Sequence, residues 1–71
     1  MSNSTSNAIT FFERKAMEAG EDEKFKNQLK WVSEYGLVHE VYELASVSCD
    51  ENSSWEECEQ KIALQMAEWD L

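Results

Sequence analysis

Along this chain apolar residues recur every three to four positions, and no stretch alternates apolar with polar for long enough to form a convincing strand. The chain is therefore committed to helices. Ile9, Phe12 and Ala16 make one stripe, and Phe25, Leu29 and Val32 a second. Beyond Gly36 the apolar set is Leu37, Val38, Val41, Tyr42, Leu44 and Ala45, and Trp55, Cys58, Ile62, Met66 and Trp69 follow down one last face. At about 100° per residue, the stripes before and after Gly36 differ in direction by roughly 160°. A straight helix through Gly36 would aim half of its core residues at solvent. The spacing predicts a break there, with one helix ending near Tyr35 and another running from about Leu37 to Val47. The alternative is a single long helix buried on opposite faces in an oligomer.

Local signals set the remaining boundaries. Thr10-Phe11-Phe12-Glu13 has the form of a capping box, which places the first helix start at Thr10. Gly20, free to adopt the left-handed conformation, stops that helix near Ala19. Glu21-Asp22-Glu23 suits the positive end of the next helix. Ser48 to Ser54 reads as a polar loop, and Ser54-Trp55-Glu56-Glu57 as a second capping box opening a helix that runs close to the C-terminus. The expectation is an all-α bundle of three to four short helices: a single helical domain over 10–71, after a disordered Ser/Asn/Thr lead over 1–9.

With 71 residues, such a domain buries only about 60% of its unfolded surface and has little material for a supported catalytic cleft. Its net charge of −9 is unevenly placed. Residues 1–30 hold five cations and five carboxylates, whereas residues 31–71 hold Lys61 against ten carboxylates. That balance disfavours direct binding to nucleic acid or to an anionic membrane. No window approaches the ~20 apolar residues of a membrane span, and the start lacks the basic and apolar parts of a secretory signal. A cytoplasmic protein is expected, and with it Cys49 and Cys58 as thiols rather than a disulfide.

Chemical motifs are weak. Tyr35-Gly36-Leu37 resembles the turn of a helix-turn-helix, yet the helix after it would present His39, Glu40, Glu43 and Ser46 outward, and its carboxylates would face phosphates. Cys49, Cys58, His39 and Glu43 offer no recognisable metal-ligand spacing. Asp50, Asn52 and Ser54 mimic the first ligands of a calcium loop, but Trp55 stands where the turn needs Gly and Lys61 where the closing Glu belongs. His39 and Cys49 would lie about 15 Å apart at opposite ends of one helix, too far for a thiol–imidazole pair. No catalytic residue, cofactor or metal is expected.

The carboxylates carry more information as a surface. Glu40 with Glu43, and Glu56 with Glu59, are spaced three apart, which sets each pair about 5–6 Å apart, similar to successive phosphates of a strand. With Asp70 they could occupy a basic groove meant for nucleic acid. The plain alternative is that acidity only keeps a small protein soluble. Trp31 and Leu64 lie off their helices' main stripes and read as anchors for a partner or for self-association. In size, acidity, missing catalytic motifs and its Ser/Asn lead, the chain resembles the small inhibitor proteins that bacteriophages use against host machinery, a resemblance of style that covers no specific motif. It implies a non-enzymatic protein, acting in a host cytoplasm, that binds and blocks or modifies another protein, such as a basic nucleic-acid-handling one. The competing expectation is an adaptor that forms a homodimer or docks into an assembly through an apolar helix face.

Overall fold

A computed structural model describes the backbone of residues 4–36 and 38–71 and the side chains of 7–36 and 40–71. Four helices follow in order: α1 (Ser4–Glu18), α2 (Asp22–Glu34), α3 (Val38–Ser46) and α4 (Trp55–Glu68), with no strand among the described residues. This is the small all-α bundle that the periodicity predicts. The expectations for Leu37 and for the side chains of Val38 and His39 lie outside the described residues.

One boundary differs. α1 begins at Ser4, so the capping pattern at Thr10 lies mid-helix and residues 4–9 are helical rather than part of an unstructured lead. The reason is packing. Ala8 is buried and Ile9 half-buried against the core, on the same side as Phe12 and Ala16, so the apolar stripe extends a turn before Thr10. Ala8 also has the highest intrinsic helix propensity of any residue type.

The other termini follow from the signals in the sequence. At the end of α1, Gly20 has φ +74°, its N–H donates to Met17 O (3.1 Å), and the Glu21 N–H donates to Ala16 O (2.7 Å). These are the two bonds of a Schellman closure. α2 ends at Tyr35 as its cap, and Gly36 follows with φ +70°, its N–H on Ser33 O (3.0 Å). The chain therefore turns at Gly36, and the two stripes of opposite direction both reach the interior. α4 opens with the full capping box: Ser54 Oγ accepts from the Glu57 N–H (3.2 Å), and Glu57 Oε1 accepts from the Ser54 N–H (2.9 Å).

α1 and α3 form the central pair, each packing on all three other helices, whereas α2 and α4 meet only through long side chains. The core comprises Phe12 and Ala16 from α1, Phe25 and Val32 from α2, Val41, Tyr42 and Ala45 from α3, and Trp55, Cys58 and Ile62 from α4. Leu44 departs from its expected place in this core and is 46% exposed. Val41, Tyr42 and Ala45 already fill the inward arc of α3, and Leu44 falls on its flank toward α4.

A Cβ added at Gly36 meets nothing within 4 Å, so a substitution there is opposed by backbone conformation alone. Gly36→Leu is expected to cost about 1–2 kcal/mol, seen as a melting temperature lower by roughly 4–8 °C per kcal/mol. Equal or higher thermal stability would mean that α2 and α3 can run on as one helix.

Candidate functional surface

The seven residues expected to meet a partner do not form one patch. On α3, Glu40 is exposed and Glu43 half-buried. On α4, Glu56 is exposed, while Glu59 is half-buried with its carboxylate 4.0 Å from Lys24 Nζ of α2. Glu59 thus lies on the α2 side of α4, whereas α3 packs on the opposite flank, where Lys61 and Gln65 face it. The two carboxylate rows border the bundle on separate sides of α4.

Trp31, 45% exposed, packs at a tilt against Tyr35 one turn on, with ring centroids 5.2 Å apart. This aromatic pair belongs to α2. Leu64, 60% exposed, stands instead with Leu44 at the α3–α4 groove. Asp70 serves the backbone. At φ +58° it follows the Trp69 cap and donates its N–H to Ala67 O (3.1 Å), while the Leu71 N–H reaches Met66 O (2.9 Å). It closes α4 in the position usually held by glycine.

A clamp between α1 and the α3–α4 loop was not visible from spacing. Arg14 donates two bonds to the Glu51 carboxylate, at 3.0 and 2.8 Å. Beside it the buried Lys15 donates from Nζ to the Glu51 carbonyl at 2.7 Å. The Arg14 hydrogen bonds hold the Glu51 carboxyl below its ordinary value. Within the loop, Asp50 Oδ1 accepts from the Asn52 N–H (2.9 Å) and from Ser53 Oγ (3.3 Å). The residues that imitated a calcium loop are thus occupied in shaping the turn and capping α4. Only the adjacent Arg14-Lys15 pair, isolated among the helix's acids, hinted at this clamp.

Among the described residues, no three His, Cys, Asp or Glu side chains converge on a metal position. No described helix is long and apolar enough to cross a membrane. No protein-family model, curated protein or solved structure matches the chain.

The two cysteines lie close together, both as free thiols, with Cys58 fully buried and Cys49 half-buried over the core. Burial, reinforced by the neighbouring Cys49, pushes the Cys58 thiol up to about 12. Since the thiolate is the reacting species, iodoacetamide at pH 8 is expected to modify Cys49 in the native protein and Cys58 only after denaturant is added. Peptide mapping after cleavage at glutamate reads the two sites separately. Equal labelling of both in the folded state would contradict the packing of Cys58.

Proposed function

We propose that this chain is a non-enzymatic helical protein that binds another protein and blocks or modifies it, its acidic α3–α4 half occupying a basic surface of the kind that otherwise holds nucleic acid. The observation that carries this reading is the fate of the charges on folding. Three cations of the first half have partners within the chain: at the surface, Arg14 on Glu51 and Glu18 and Lys24 near Glu59, and, buried, Lys15 in the clamp. In residues 31–71, Glu51 and Glu59 are the carboxylates with a cation within 4.0 Å among the described residues, and Lys61 is the sole cation of that half. Glu40 and Glu56 stand exposed on helices that the core holds rigid. Such a surface attracts a basic partner over several ångströms and repels nucleic acid itself. The style shared with small phage inhibitors fits the same reading, with action in the cytoplasm, a host's if the chain is viral.

A second reading, an adaptor or homodimer held by apolar contact, is favoured by one feature, the exposed Leu44–Leu64 pair on adjacent helices. Salt separates the two, because charge-driven docking weakens with ionic strength and apolar docking does not.

Replacing Glu40, Glu43, Glu56 and Glu59 with Gln removes four charges at nearly constant helix propensity. Against a partner recovered by pulldown from the native host, association at low salt is expected to slow by about tenfold or more. The salt dependence becomes shallower and helicity is unchanged, with Glu59 contributing least because Lys24 already screens it. Association at the wild-type rate, with the same salt slope, would sink the charge-driven reading.

A further inference from the structure

Cys49 and Cys58 are neighbours in space, nine positions apart in sequence, and neither contributes to the acidic surface. Both are anchored through their backbones. The Cys49 N–H donates to Ser46 O (3.1 Å) in the turn after α3, and the Cys58 N–H to Ser54 O (3.0 Å) in the first turn of α4. The loop between them is braced by Asp50 on Asn52 and Ser53, and by Arg14 and Lys15 on Glu51. Fixed backbone thus holds the two thiols side by side.

Their surroundings differ. Cys58 is fully buried, whereas Cys49 is half-buried and lines an open hollow of about 330 Å³ with Asn7, Ala8, Phe11 and Ser46. A core cysteine alone packs as a small apolar side chain. A second thiol placed over it, in the wall of a hollow open to water, adds a route from solvent to the buried sulfur. Lys15, itself buried, brings positive charge near Cys58, which favours the thiolate and counters part of the effect of burial.

We propose that Cys49 and Cys58 form a peroxide-responsive site, in which Cys49 is oxidised first and Cys58 resolves it to an intramolecular disulfide that closes the α3–α4 loop. In the first step the Cys49 sulfur attacks one oxygen of hydrogen peroxide and the O–O bond breaks. The other oxygen leaves as hydroxide and takes up the thiol's proton to become water, which leaves Cys49 as a sulfenic acid. In the second step the Cys58 sulfur attacks the Cys49 sulfur. The S–O bond breaks, and the hydroxyl departs as water with the Cys58 proton. The peroxide gains two electrons, and each cysteine supplies one. Access sets the order, because peroxide meets Cys49 in the hollow and Cys58 only through Cys49. Burial disfavours the Cys58 thiolate, so the second step is the slower one and the sulfenic acid accumulates before the disulfide.

The test treats the reduced, full-length chain with a small excess of hydrogen peroxide and follows intact mass, thiols alkylated after denaturation, and peptides mapped without reductant. The expected product is a monomer lighter by two hydrogen atoms, with a linked Cys49–Cys58 peptide that dithiothreitol separates. It is expected to melt several degrees higher than the reduced protein, because the bridge restricts the unfolded chain. Dimedone added early is expected to trap the sulfenic acid on Cys49, and in Cys58→Ala to trap it throughout. Cys49→Ser is expected to slow the loss of the Cys58 thiol by about tenfold or more. Should Cys58→Ala fail to fold, early trapping in the wild-type chain and the Cys49→Ser rate still decide the matter. Three results would overturn the site. In the first, Cys49 passes on to sulfinic acid while Cys58 remains a thiol, which makes Cys58 a packing residue alone. In the second, the only disulfide joins Cys49 of two chains. In the third, Cys58 is oxidised in Cys49→Ser as fast as in the wild-type chain.

Discussion

Four aromatic rings, one from each helix, run through the interior as a chain. Phe12 lies against Tyr42 with centroids 5.8 Å apart, Tyr42 against Phe25 at 5.9 Å, and Phe25 against Trp55 at 6.2 Å. All are tilted or edge-on, the arrangement that ring quadrupoles favour. Truncating a buried ring of this kind to Ala typically costs about 3–5 kcal/mol, against a total stability of roughly 5–15 kcal/mol for an ordinary domain. In so small a bundle each link is thus a large share of what keeps it folded. The last link matters most to topology, because the α2 and α4 backbones do not pack together and only the surface approach of Lys24 to Glu59 otherwise joins them among the described residues.

Tyr42 also shows how a polar atom is accommodated in that chain. Its ring is fully buried, and its hydroxyl donates to Gln28 Oε1 at 3.0 Å. Burial pushes the phenol well above its ordinary value, which keeps it a neutral donor at any physiological pH. Trp55 is treated less well, since its Nε1 is buried with no acceptor in reach among the described residues. The ring's apolar area offsets that loss.

Charge follows the opposite logic to the core. Lys15 of α1 is buried on a loop carbonyl, whereas Arg14 and Lys24 stay at the surface, each beside one carboxylate, Glu51 and Glu59. The Lys15 ammonium lies 5.6 Å from the Phe11 ring centroid and finds a carbonyl rather than a carboxylate. Within the acidic half Arg14 pairs with the loop residue Glu51 and Lys24 lies near Glu59, which leaves Glu40 and Glu56 exposed with no cation within 4.0 Å among the described residues.

The number of helices, the turn at Gly36, the closure at Gly20 and the capping box at Ser54 were all legible in the sequence, because each depends on residues within a few positions of one another. Periodicity carries the direction of a stripe, and φ above zero carries a preference for glycine, with no reference to the rest of the chain. The start of α1, the place of Leu44 and the clamp on Glu51 were decided by tertiary structure. Whether Ala8 is buried depends on what covers it, and a capping pattern at Thr10 holds no advantage once packing extends the helix past it. Leu44 and Leu64 are twenty positions apart in sequence and share a groove only because α3 packs directly on α4. Local spacing determines which face each helix presents, but only the docking of helices determines which faces meet, because that choice is made by burial between residues distant along the chain.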